Sequence, residues 1–163
     1  MNQTGDTDET APDVAIRPAT AADADAVSDV YLASFRATYD FPPAHDDAAV
    51  RRWIRGVLLA RGGTWVADSG GKVVAMMTVG PDDLDQLYVA PDRLGQGIGR
   101  RLLEHAKRLQ PAGLTLYTFQ VNERARRFYE RNGFVADAFG DGSANEECQP
   151  DVRYVWRPVA VRP

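Results

Sequence analysis

The sequence predicts a mixed α/β fold, and three observations point to it. Apolar residues recur at helical and at strand spacing in turn along the 163 residues. Ser69-Gly70-Gly71 separates two β-rich runs, a hairpin signal because glycine reaches positive φ freely. A later strand runs through Gly95, Gly97 and Gly99 directly into an amphipathic helix, so that Leu84 to Leu116 forms a strand-turn-helix-strand unit.

Each element has a local cause. Val14 to Arg17 is a short strand closed by Pro18. Thr20 is placed to cap a helix from Ala21 to Thr38, with Ala26, Val27, Val30, Tyr31 and Ser34 at helical spacing. Asp23 and Asp25 stand in its first turn, where the helix dipole favours negative charge. Phe41-Pro42-Pro43 interrupts the chain. A second helix follows from Asp46 to Ala60, with Val50, Trp53, Ile54, Val57 and Leu58 on one face. Strands are expected at Thr64 to Asp68, Lys72 to Val79 and Leu84 to Ala90, the last stopped by Pro91. The next helix, Gly97 to Leu109, buries Ile98, Leu102, Leu103 and Ala106. Leu114 to Gln120 is a strand, and Asn122 to Asn132 a helix ended by Gly133. Phe134 to Phe139 and Val152 to Trp156 are the last two strands, giving the order β-α-α-β-β-β-α-β-α-β-β.

Composition narrows the function classes. Hydrophobic residues make up 44% and charged residues 26%, the balance of a globular domain. Residues 13–163 are expected to form a single domain, preceded by a disordered acidic tail at residues 1–12. That tail carries Asp6, Asp8 and Glu9 without an apolar core, so it does not read as a secretory signal. The formal charge of −4, from 23 acidic and 19 basic residues, argues against a nucleic-acid partner and suits a cationic one. No apolar run is long enough to span a bilayer, so no membrane partner is expected. The single cysteine, Cys148, excludes an internal disulfide, and the default location is cytoplasmic. His45 and His105 are not at metal-ligand spacing, so no metal is expected.

The glycine series carries the most chemistry. Glycines let the backbone approach an anion closely, and the unpaired N–H groups of a helix's first turn add donors and partial positive charge. Such a turn suits a pyrophosphate, with Arg100 and Arg101 nearby. Its bland reading is a tight turn. A Rossmann dinucleotide site fits poorly, because G-x-G-x-x-G requires glycine where Arg100 stands.

Val89-Ala90-Pro91 followed by Leu94-Gly95-Gln96-Gly97-Ile98-Gly99-Arg100-Arg101-Leu102-Leu103 resembles the acyl-CoA-binding motif of the GNAT superfamily of N-acetyltransferases. Asn122-Glu123-Arg124-Ala125-Arg126-Arg127-Phe128-Tyr129, running on to Gly133-Phe134, is similar to that family's second signature. The resemblance covers nearly all of the chain after Val14. It implies a central, mostly antiparallel sheet of about 6–7 strands flanked by four helices, with a V-shaped split between the fourth and fifth strands. It also implies acetyl-CoA as co-substrate, bound by the backbone of Leu87, Tyr88 and Val89 and by Gly95, Gln96, Gly97, Ile98, Gly99 and Arg100. Leu94 departs from the family, which usually has arginine or glutamine there; Arg93 or Arg100 is placed to compensate. One of the helix arginines, Arg124, Arg126, Arg127 or Arg131, could touch the 3′-phosphate, although the run also reads as a solvated face.

The implied reaction is direct attack of an amine on the thioester in a ternary complex. The resemblance gives Tyr129 as the acid for the leaving sulfur, with Asn122, two helical turns earlier on the same face, bonding the pantetheine chain. Asn122 is equally an N-cap, and Tyr129 an aromatic core residue. Asp85 and Asp83, which alternate onto one face of their strand, are the candidate bases, with a water as the alternative to either. Glu146 and Glu147 could hold a cationic acceptor, and Phe35, Tyr39, Trp53 and Trp65 are candidates to line its pocket or the core. The acceptor is a small-molecule or peptide amine. The family commonly dimerises, which leaves a homodimer open. The competing class is a catalytically silent acyl-CoA-binding sensor or partner protein.

Overall fold

The computed structural model describes residues 13–160; the expected acidic tail of residues 1–12 lies outside the described residues. Among the described residues, seven strands fall into two antiparallel sheets. Strands β1 (Ala15–Pro18), β2 (Thr64–Ser69), β3 (Lys72–Val79) and β4 (Leu84–Val89) form the first, in the order β1-β2-β3-β4. Strands β5 (Leu114–Phe119), β6 (Val135–Gly140) and β7 (Asp151–Trp156) form the second, in the order β5-β7-β6. The two meet at the start of β4, where the Thr115 amide donates to Asp82 O at 2.9 Å and Asp83 bridges Thr115 in parallel. Beyond that point β4 and β5 diverge, which is the expected split between the fourth and fifth strands.

Four helices among the described residues pack on these sheets. Helix α1 (Ala24–Thr38) follows a 3-10 turn, Ala21–Asp23, so the α-helix proper begins after the expected start at Ala21. The buried stripe of α1 includes Leu32, which was not expected there, and Phe35, expected in the core or the acceptor pocket, while Ser34 turns toward the cleft described below. Helix α2 (Asp47–Trp53) is capped by Asp46, whose side chain accepts from the Ala49 amide. It runs on through a π-helical stretch, Ile54–Leu58, and a last α-turn, Leu59–Arg61. The wide π-turn rotates the helix face. Leu58 stays buried, but Val57, expected on the apolar face, is 45% exposed. Helices α3 (Ile98–Leu109) and α4 (Glu123–Arg131) complete the set.

The first sheet separates two apolar clusters. One joins Val66 and Met76 to Val27, Val30 and Leu32 of α1 and to Val50, Ile54 and Leu58 of the α2 segment. The other joins Val74 and Met77 to Leu102, Leu103 and Ala106 of α3, and to Tyr129, Phe134 and Tyr154. Strand β3 therefore carries apolar residues on both faces, from Val73 to Met77. Its one polar residue there, Thr78, is satisfied by a 2.9 Å hydroxyl contact with Thr64. Asp23 does more than favour the helix dipole. It accepts two bonds of 2.9 Å from the Arg17 guanidinium, which also donates to Asp68 and so ties β1 and β2 to the start of α1. No described helix is long and apolar enough to cross a membrane.

Candidate functional site

The split between the sheets opens into a cleft of about 1370 Å³. One end is the glycine turn. Pro91 to Arg93 form a 3-10 turn after β4, and the chain then passes through Gly95 at φ 78° and Gly97 at φ 77° before entering α3. Gly97 is the N-cap in left-handed conformation and has no side chain to cap with. Among the described residues, the backbone N–H groups from Gly95 to Arg100 donate to no backbone or side-chain acceptor. These amides and the helix dipole form an anion cradle. Gly95, Gly97, Ile98, Gly99 and Arg100 all line the cleft. Gln96 does not; its side chain accepts from Arg93 Nε at 2.9 Å, while Arg93 Nη2 donates to Ser69 and braces the turn against the β2–β3 hairpin. Leu94 is exposed at the cleft's edge.

Strand β4 supplies the wall next to the turn. Neighbouring residues of a strand aim their amides at opposite edges. Ala90 donates to Val74 O across the ladder with β3, and Tyr88 pairs with Met76, so both belong to the β3 side. Leu87 and Val89 therefore present N–H and C=O to the gap where β5 has pulled away. Of the three residues expected to pair with a ligand's amides, Tyr88 has its backbone engaged and offers its ring. That ring meets Tyr31 edge-on, with centroids 4.8 Å apart.

Helix α4 brings Asn122 and Tyr129 to the opposite wall. Asn122 performs the capping role, accepting from the Ala125 amide at 3.0 Å, and its Nδ2 donates to the Tyr39 hydroxyl at 2.9 Å. Tyr129 is buried, with its ring against Phe128, Phe134 and Tyr154 at centroid distances of 5.2, 5.6 and 6.2 Å. It is thus core and cleft wall at once. Among the described residues its hydroxyl has no hydrogen-bond partner, and burial pushes its pKa well above the usual phenol value. It stays protonated at any ordinary pH.

The two candidate bases are separated. Val79 pairs with Leu84 but Thr78 with Gln86, so Asp85 is the extra residue of a β-bulge. That bulge breaks the simple alternation expected to put Asp83 and Asp85 on one face. Asp85 lines the cleft and lies 3.3 Å from Arg61 Nη2. Asp83 is outside the lining; its carboxyl lies against Gly80, where an added Cβ would sit 2.0 Å from Oδ1. Burial, then the charges of Asp85 and Asp82, raise the Asp83 pKa.

The acidic loop also divides. Glu147 lines the cleft, whereas Glu146 Oε2 lies 2.8 Å from His45 Nε2. Phe35 and Tyr39 line the cleft; Trp53 packs beside α1, and Trp65 packs on His105 with centroids 4.3 Å apart. Arg124 and Arg131 line the cleft, while Arg126 bonds Gln120 O and Tyr154 and Arg127 pairs with Glu123. Tyr31, Ser34 and Phe119 are lining residues that sequence reasoning missed as site residues. Tyr31 sits on the helical apolar stripe and read as core. Among the described residues, no group of three or more His, Cys, Asp and Glu side chains is placed to hold a metal ion.

Comparison with known proteins agrees with this geometry. The model of the acetyltransferase (GNAT) domain matches residues 60–136. The peptidyl-lysine N-acetyltransferase YjaB of Salmonella typhimurium is 36% identical over 107 residues, covering 64% of this chain and 72% of that protein. The chain belongs to the GNAT acetyltransferase family. A further relative, the "Probable N-acetyltransferase Rv2775" of Mycobacterium tuberculosis, is 40% identical over 89 residues, 48% of this chain; the match spans about half of that protein, 51%. Among solved structures, apo YjaB from Escherichia coli superposes with a TM-score of 0.74 at 26% identity, covering 88% of this chain and 97% of that one. The matched segment runs from the end of the α2 segment into β6, and so includes the glycine turn, the bulged strand and α4.

Proposed function

We propose that this chain transfers the acetyl group of acetyl-CoA to an amine by direct attack within a ternary complex. The observation that carries the reading is the row of unpartnered amides from Gly95 to Arg100 in the same cleft as the buried, unpartnered phenol of Tyr129. The amides hold the pyrophosphate, and Arg100 adds charge beside it. The free edge of β4 at Leu87 and Val89 pairs with the pantetheine amides and donates to the thioester oxygen as it becomes negative. Asn122 supports the pantetheine chain from α4.

The amine nitrogen bonds to the carbonyl carbon, its proton passes to Asp85 directly or through a water, and the C–S bond breaks as Tyr129 donates its phenolic proton to sulfur. Asp85 fits the base role better than Asp83 because it lines the cleft and Asp83 does not. The acceptor class carried over from the Salmonella relative's name is a peptide lysine.

Thermal unfolding with acetyl-CoA, free CoA and NAD tests the reading. A ligand at about 100 times its dissociation constant adds roughly 2.7 kcal/mol, a rise in Tm of about 5–10 °C for a chain of this size. A rise with acetyl-CoA and none with NAD is expected. No rise with either acyl donor or CoA would leave the glycine turn as a turn.

A further inference from the structure

The β6–β7 loop is built around Asn145. Its Nδ2 donates to Gln149 O at 2.8 Å and to Asp151 Oδ2 at 3.1 Å, and its Oδ1 accepts from the Gln149 amide at 3.2 Å. Gln120 clamps both ends of the loop, donating to Gly140 O at 3.0 Å and Asp151 O at 2.8 Å. Gly142 is packed so tightly that a Cβ there would lie 2.7 Å from the carbonyl carbons of Cys148 and Gln149. The Glu146–His45 contact pins the tip to the connection before α2. This leaves Glu147 lining the cleft, half-buried and, among the described residues, with no cationic partner.

Glu147 shares the lining with a run of aromatic rings. Tyr88 meets Tyr31 at 4.8 Å, Phe35 meets Tyr39 at 4.8 Å, and Tyr39 meets Phe119 at 5.3 Å. Burial, and next the charge of Glu147, push the Tyr31 phenol up to about 12, which places that charge within electrostatic reach of the wall. A carboxylate facing the cleft without a counter-charge is free to accept a charge-assisted hydrogen bond from a bound cation. Aromatic faces carry negative potential and attract cations. Carboxylate and rings together suit an ammonium on an apolar stem and disfavour an anion. The glycine-turn end carries Arg93 and Arg100 instead, so the cleft is positive at one end and negative at the other.

We propose that Glu147, with the Tyr31–Tyr39 wall, seats the ammonium of an alkylamine acceptor and discriminates against amines that carry a neighbouring carboxylate. This rests on the reading of the cleft as an acetyl-CoA site. Glu147 binds the protonated amine, which loses one proton to water before attack; the second passes to Asp85, directly or through a water, as the C–N bond forms. The alkylammonium has two possible sources, a lysine side chain on a peptide and a free diamine. A free α-amino acid is disfavoured because its carboxylate meets Glu147.

The test measures CoA thiol release with a capped lysine peptide, 1,4-diaminobutane and glycine, for the natural protein, Glu147→Gln and Glu146→Gln. Acetyl-CoA thermal shifts are recorded in parallel. The expected result is acetylation of the peptide or the diamine with kcat/KM at least about tenfold above glycine. Glu147→Gln is expected to raise KM for the accepted cation about 10–30-fold, with a much smaller fall in kcat and the acetyl-CoA shift retained. Glu146→Gln, which changes the same charge outside the cleft, is expected to raise KM less than about threefold. The arm that responds identifies the source. Equal effects of the two variants, or glycine used as well as the cations, would overturn the proposal. So would a natural protein that acetyl-CoA stabilises but that acetylates none of the probes. Absence of any acetyl-CoA shift in the natural protein defeats the underlying reading instead.

Discussion

Removing one oxygen from Tyr129 separates its two roles. In Tyr129→Phe the ring keeps its contacts with Phe128, Phe134 and Tyr154, and the hydroxyl that is lost has no partner among the described residues. No buried group is orphaned, so the fold should change by less than about 1 kcal/mol and Tm by less than about 3 °C. Turnover should suffer far more. A positioned general acid contributes roughly 10²–10⁴-fold; we expect the low end, about 10²-fold in kcat at pH 7, or roughly 2.7 kcal/mol. The pH dependence has a definite sign. Burial raises the Tyr129 pKa, so the acid form is present at all lower pH and is lost only as pH rises through that elevated value. Any alkaline fall of the natural protein's activity below pH 10 therefore has another origin. The deficit of the variant should narrow as pH rises through about 8.5, where a thiolate leaves without a proton. The assay is CoA thiol release with a capped lysine peptide, alongside acetyl-CoA thermal shifts. An undiminished kcat at pH 7, or an equal loss of turnover and acetyl-CoA binding, would refute the acid role. A protein that binds acetyl-CoA and never turns over would favour the sensor reading.

Three further outcomes are expected. Asp85→Asn should lower kcat about 10²-fold with acetyl-CoA binding retained, as measured by the same two assays; unchanged turnover would move the proton to a water independent of Asp85. Asp23 is held at about 2 by hydrogen bonds from the Arg17 guanidinium, below its ordinary value of 3.8. Its contribution, about 1–2 kcal/mol because Arg17 is partly exposed, is complete above the ordinary value and disappears as pH falls through about 2. Urea midpoints of Asp23→Asn and the natural protein should therefore differ at pH 7 and converge near pH 2. Val57→Glu should shift stability by no more than about 0.5 kcal/mol, since the π-turn exposes Val57. A loss of several kcal/mol in chemical denaturation would mean that α2 keeps a regular α-helical face.

The order of elements, the glycine turn and the placement of Asn122 and Tyr129 on one helix were legible in the sequence. Each depends on chemistry within a few residues: capping, positive φ and side-chain period. Val57 was misplaced because a π-turn shifts the helical period without an obvious local mark. What only the tertiary structure decided depends on distant partners. The bulge at Asp85 arises from register between β3 and β4, and it divides Asp85 from Asp83. The edge amides of Leu87 and Val89 are free because β5 leaves β4 after Thr115, a choice made between strands about 30 residues apart in the chain. Glu146 and Glu147 are identical neighbours in sequence, and His45, 101 residues from Glu146, marks the difference between them. Tyr31 read as core, and Phe35 as either core or pocket, because helical spacing identifies an apolar stripe without saying where packing stops and a cleft begins. Local rules determine which backbone can hold an anion; long-range pairing determines which side chains face the ligand.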